Sequence, residues 1–218
     1  MMDEKLVGLI MGELKKRLGE AVKSTIPVEL SAKHVHLSEA DSFALFGGPL
    51  TYKRELSQPG QYLCDQRVRL IGPKGVVDNV AVLGPERSES QVEVSISDSR
   101  ALGLKVPIRQ SGDIDGTPGI VLASSTGIVG LEKGVIVAGR HIHMSPGDAE
   151  RFGVKDRDLV CVNMTGTRPV VFRDVLVRVS SDFNLAMHID FDEGNGSGWT
   201  PASECTIVKQ PQDEFCGV

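Results

Sequence analysis

Two hydrophobic rhythms divide the chain. Over residues 3 to 20, Leu6, Ile10 and Leu14 recur every four positions, with Val7, Met11 and Leu18 beside them and charges on the other face. That spacing is the stripe of an amphipathic helix, and Gly19 is its stop. From Val22 onward the rhythm shortens to Val- and Ile-rich runs broken by Gly and Pro, the pattern of an all-β fold with many turns. It predicts strands over 27–37, 67–72, 76–83, 92–97, 119–123, 134–144, 159–164, 170–179 and 185–191. The Gly-Pro-Lys-Gly stretch after Ile71 reads as a hairpin turn. Short helices are expected after Ser38, Asp98 and Ser145. Ser38 with Asp41, and Ser145 with Asp148, resemble N-terminal capping boxes in which Asp replaces Glu. Gly194-Asn195-Gly196-Ser197-Gly198 reads as a flexible loop.

The two caps belong to an internal repeat. Lys33-His34-Val35-His36-Leu37-Ser38 is followed by Asp41 and closed by Phe46-Gly47. Arg140-His141-Ile142-His143-Met144-Ser145 is followed by Asp148 and closed by Phe152-Gly153. In both copies seven positions separate the first His from the Asp, and the copies start 107 residues apart, about half the chain (141 − 34). The expectation is therefore a mainly β protein of two small β-barrel domains with short capping helices, an internal duplication and an N-terminal amphipathic helix.

Composition narrows the function classes. Charged residues are 24% and hydrophobic ones 40%, which suits a globular fold of 218 residues with its own core. The net charge of −5 and an aromatic content of 5% argue against nucleic-acid binding. No apolar run reaches the roughly 18 residues of a membrane span. Cys64, Cys161, Cys205 and Cys216 are far apart and form no Cys-x-x-Cys, so free thiols in a reducing cytoplasm are expected. There is no phosphate-binding loop of the Gly-x-x-x-x-Gly-Lys type, no Gly-x-Ser-x-Gly elbow and no His-Glu-x-x-His helix.

Four of the five histidines sit in the two repeats. On a strand, residues i and i+2 share a face, so His34 and His36 point together, as do His141 and His143. Two imidazoles about 6–7 Å apart along a strand suit chelation of one metal ion. A third ligand for each pair can come from a later strand. His188 stands on the polar side of Leu185–Phe191, and Glu93 on the polar side of the Val92, Val94, Ile96 run. His34, His36 and Glu93 then form one set, and His141, His143 and His188 the other. Imidazole-rich ligation favours Zn²⁺, with Co, Ni or Fe left open. Arg87 lies six residues before Glu93, an even offset that puts both on one face if the chain stays extended. A guanidinium beside two cations calls for a bridging anion, and phosphate is the natural one. The loop from Gln110 to Gly119 is either a ligand-approach loop or a plain turn.

Together these motifs resemble the PduL-type phosphate propanoyltransferases, the phosphotransacylases of bacterial microcompartments. The resemblance covers about 26–208 and is carried by His34-Val35-His36-Leu37-Ser38, Gln58-Pro59-Gly60-Gln61-Tyr62, Leu83-Gly84-Pro85-Glu86-Arg87, Gln91-Val92-Glu93-Val94-Ser95, Gly116-Thr117-Pro118-Gly119-Ile120, Arg140-His141-Ile142-His143-Met144-Ser145-Pro146 and Met187-His188-Ile189-Asp190. It implies two zinc ions, one on His34, His36 and Glu93, the other on His141, His143 and His188. It implies that Arg87 holds phosphate and acts in catalysis, and that Gln110 and Ser111 lie near coenzyme A. It also implies interleaved domains: a targeting helix over 1–21, a first barrel over 33–138, and a second over 139–210 that takes in strand 22–32. The activity implied is acyl-CoA plus inorganic phosphate to acyl phosphate plus coenzyme A, with a propanoyl or acetyl group, in a cytoplasmic microcompartment lumen. Residues 3–20 are then the contact to shell proteins, and a homo-oligomer stays open. The rival readings are a dinuclear zinc hydrolase and a non-catalytic metal- or nucleotide-binding double barrel.

Overall fold

The computed structural model describes residues 25–208, so the helix expected over 3–20 lies outside the described residues. The architecture is mainly β, a closed six-stranded barrel beside a half-barrel of nine strands. The barrel order is β1 (Ile26–Ser31), β14 (Ala186–Asp190), β11 (His141–Met144), β13 (Val170–Val179), β12 (Leu159–Met164) and β15 (Glu204–Val208), with β15 closing onto β1. The half-barrel runs β7 (Ile108–Arg109), β10 (Val135–Ala138), β6 (Gln91–Glu93), β2 (His34–Ser38), β5 (Val76–Arg87), β4 (Tyr62–Ile71), β8 (Ile120–Ala123) and β9 (Ile128–Leu131). β3 (Tyr52–Glu55) pairs with β4.

Two expected strands are each broken in two. The 27–37 run divides into β1 and β2, and the 134–144 run into β10 and β11. In each case the chain leaves one sheet and enters the other immediately before a His-x-His: β1 lies in the barrel and β2 in the half-barrel, β10 in the half-barrel and β11 in the barrel. An alternating pattern shows that a residue faces a core, but not which of two cores it faces. Both cores are dry. Val35, Leu37, Leu70, Leu122 and Val135 fill one, and Ile26, Ile142, Met144, Met187 and Ile189 the other, all essentially inaccessible to water.

Among the described residues, four short helices follow strands. The caps foreseen at Ser38 and Ser145 open α1 (Glu39–Phe46) and α3 (Pro146–Phe152), each ending at a left-handed glycine. The helix expected after Asp98 starts earlier, as α2 (Ile96–Leu102), because Ser95 is its cap and Asp98 the reciprocal partner. Strand β6 correspondingly stops at Glu93. The supposed loop at 194–198 is largely α4 (Phe191–Ser197), opened by a capping box of Asp190 and Glu193. Gly194 packs closely there, since a Cβ would displace the end of the Leu30 side chain. Among the described residues, no helix is long and apolar enough to cross a membrane.

Candidate active site

The two crossings carry the histidines to the seam between the sheets, and strand register completes each set. His34 of β2 lies opposite Glu93 of β6, and His141 of β11 lies opposite His188 of β14. Both pairings are antiparallel and both third residues precede a capped helix, so the duplication extends beyond the His-x-His segments. It extends to the basic residue as well: Lys33 pairs with Asp98 of α2 at 2.9 Å, and Arg140 with Glu193 of α4 at 2.9 Å. These ion pairs anchor each crossing to the helix behind it.

The side chains converge. Within each set of three, the possible donor atoms lie within 4.8 Å of one another. His34 and His36 rings stand edge to face with centroids 5.0 Å apart, and His34 Nε2 is 3.5 Å from Glu93 Oε2. In the second set the centroids of His141, His143 and His188 are 4.7–5.2 Å apart. The first imidazole of each pair is fixed in the same way. Nδ1 of His34 donates to Ala32 O at 2.7 Å, and Nδ1 of His141 to Gly139 O at 2.9 Å. With the proton on Nδ1, the Nε2 lone pair is free.

Burial holds four of these imidazoles neutral. Burial, with His34 and Arg87 close by, lowers His36 to about 2. Burial and the two neighbouring histidines lower His143 to about 2, and burial with His141 lowers His188 to about 3. His141 is lowered too, chiefly by burial. His36 Nδ1, His143 Nδ1 and His188 Nε2 are buried without any hydrogen-bond partner. An orphaned buried nitrogen costs about 1–3 kcal/mol, and three in two matched clusters ask for a ligand. Clustered imidazoles with unpartnered nitrogens, joined by one carboxylate in the first set, fit zinc.

Arg87 ends β5, donating from Nη2 to His36 Nε2 at 2.9 Å and from Nη1 to Ser111 Oγ at 3.1 Å. It reaches the first set by a route other than the one its spacing suggests. The chain turns after Arg87, and β5 and β6 flank β2 on opposite sides. Ser111 lines the cleft, whereas Gln110 packs with its amide against Gly139.

Two neighbours escaped the sequence reading. Gln91, two residues before Glu93 and buried, donates to Glu93 Oε1 at 2.7 Å and to Ser111 Oγ at 2.9 Å, and accepts from Gly112 N at 2.7 Å. Its even spacing from Glu93 was the available signal. Arg178 comes from β13, whose adjacency to β11 is a long-range pairing no local pattern shows. All six candidate ligands, Arg87, Arg178 and Ser111 line one cavity of about 780 Å³, whose lining also includes Leu30, Leu56, Leu63, Leu83 and Phe183.

The family profile described as phosphate propanoyltransferase matches residues 27–200. The chain belongs to that family. A phosphate propanoyltransferase of Alkaliphilus metalliredigens is 49% identical over 212 residues, covering 95% of this chain and all of the relative. One from Leptotrichia buccalis is 51% identical over 92% of this chain and 96% of its own length. One from Thermotoga maritima is 53% identical over 79% of this chain and 83% of its own length. The matched stretch contains every member of both clusters.

Proposed function

We propose that the protein transfers a short acyl group, propanoyl or acetyl, between coenzyme A and inorganic phosphate. Membership of a family of acyltransferases gives the reaction class. The observation that carries the site assignment is the convergence of two matched clusters and Arg87 on one cavity. In the forward direction a phosphate oxygen attacks the thioester carbon. A C–O bond forms, the C–S bond breaks, and the proton of HPO₄²⁻ leaves with the thiolate as the thiol.

His34, His36 and Glu93 would hold one zinc ion, and His141, His143 and His188 the other. Bound zinc supplies Lewis acidity toward the phosphate and the departing sulfur. The protein does the positioning. Ala32 and Gly139 carbonyls keep the first imidazole of each pair in one tautomer, and Gln91 holds the Glu93 carboxylate. Arg87, braced by Ser111, offers remaining guanidinium N–H groups to phosphate and to charge developing on the acyl oxygen. Holding both substrates in one cleft removes much of the entropic cost of their meeting. Ser111, on the cleft wall, is the better placed of the two residues assigned to coenzyme A.

The test is thiol release from propanoyl-CoA and acetyl-CoA with and without phosphate. Release that requires phosphate supports the reading; phosphate-independent release points to the hydrolase, and none in zinc-replete protein to a binding module. We extend the proposal to residues 3–20 as the contact to a microcompartment shell. Deleting 1–20 should spare activity and abolish co-sedimentation with shells, and retained co-sedimentation would remove this part.

A further inference from the structure

Arg178 is placed like a ligand-binding group and is hydrogen-bonded to no side chain among the described residues. It lies on β13 in register with His143 on β11, so the two side chains stand on the same face of adjacent strands. That face is the cavity wall, which Arg178 lines from the barrel side while Arg87 lines it from the half-barrel side. The other arginines around the cavity are occupied. Arg54 donates to Glu55 O, and Arg67 to the carbonyls of Cys64, Asp65 and Gln66. Arg178 has no hydrogen-bond or ion-pair partner among the described residues, only a ring: its Cζ is 5.7 Å from the centroid of Phe183. Phe183 also packs on His143, with ring centroids 4.2 Å apart, so one aromatic side chain sets the position of both.

The electrostatics point the same way. Burial lowers the pKa of Arg178, as it does that of Arg87, and Arg178 further opposes the charge on Arg87. Glu93 favours the charged form of both; for Arg178, Arg157 opposes it and Asp156 favours it as well. Unpaired guanidinium donors in a partly desolvated cleft are costly unless an anion takes them. The anion must reach donors arriving from two different sheets. A ground-state thioester carbonyl presents a single uncharged oxygen, whereas phosphate presents several oxygens and up to two charges.

Resting on the acyl-transfer reading above, we infer that Arg178 is the second arm of a two-arginine clamp on the attacking phosphate, gripping it from the barrel side opposite Arg87. Arg178→Gln removes the charge and the donor fork, and Arg178→Lys keeps the charge alone. The readouts are the KM for phosphate, the KM for acyl-CoA, and the rise in Tm that phosphate produces without acyl-CoA.

For Arg178→Gln the phosphate KM should rise roughly 10- to 100-fold, the loss of one charge-assisted contact. The acyl-CoA KM should stay within about twofold. At a fixed phosphate concentration the phosphate-induced rise in Tm should shrink, while Tm in its absence is unchanged. Arg178→Lys should fall between, and it carries the test if the Gln variant does not fold. An unchanged phosphate KM overturns the inference. So does a rise confined to the acyl-CoA KM, which would assign Arg178 to coenzyme A. A lower basal Tm with both KM values intact would make it structural, and also overturns it. Phosphate-independent thiol release by the unsubstituted protein would instead defeat the acyl-transfer reading.

Discussion

Gln91 offers a sharp test of how the first cluster is held. Gln91→Leu keeps the side-chain volume close to that of Gln and puts an apolar group at a site that is 2% exposed, so no cavity opens. What it removes is polar: the 2.7 Å bond to the Glu93 carboxylate, the 2.9 Å bond to Ser111, and the acceptor for Gly112 N. A bond to a charged acceptor contributes about 1.5–3 kcal/mol, and a neutral one about 1 kcal/mol. Glu93 loses an orienting partner in its buried setting, and Ser111 loses one of its two side-chain donors, keeping Arg87. Loss of such a partner behind a metal-ligating carboxylate costs 10- to 100-fold in affinity, roughly 1.4–2.8 kcal/mol. The two routes to the magnitude agree. Titrating the variant with a zinc chelator should release one ion per chain at roughly 10- to 100-fold lower chelator concentration, and the other at the concentration the parent requires. Activity should fall with the first ion. Equal retention of both ions, with unchanged activity, would refute the claim that Gln91 positions Glu93. Simultaneous easier release of both would show that it acts on the fold at large.

Two further predictions concern the frame around the site. Burial raises the Cys64 thiol to about 11 and the Cys205 thiol to about 12, so both stay protonated at pH 8. Alkylation followed by peptide mass spectrometry should leave both unlabelled until the protein unfolds, and labelling at the rate of a free cysteine would contradict their burial. Trp199 donates from Nε1 to Val28 O on β1 at 2.7 Å. Trp199→Phe should therefore lower unfolding stability by about 1–2 kcal/mol in urea followed by circular dichroism, and an unchanged midpoint would mean that the bond does not pin β1 into the barrel.

The site was more legible in the sequence than the topology that assembles it. His34, His36, His141 and His143 announced themselves because strand geometry puts alternate residues on one face, and because the motif occurs twice. Glu93 and His188 followed from the same alternation, and the structure brings each beside its pair through antiparallel register. Arg87 was found by an argument whose premise fails, since the chain turns between it and Glu93. The breaks after Ser31 and Ala138 were hidden because Val- and Ile-rich segments bury equally well in either sheet. Helix α4 was hidden by its glycines, of which Gly194 packs on Leu30, more than 160 residues away in sequence. Arg178 reads locally as one polar position in an apolar strand, and only the pairing of β13 with β11 turns it toward the cleft.

The central claim is that two duplicated clusters, each built on one His-x-His strand, hold two metal ions in a single active site. Metal content measured on the full chain tests it most directly. Two zinc ions per chain are expected, and one when His141 and His143 are both replaced by Ala, with phosphate-dependent thiol release abolished. Two ions retained after that replacement, or turnover undiminished by it, would mean that these two histidines hold no ion needed for the reaction.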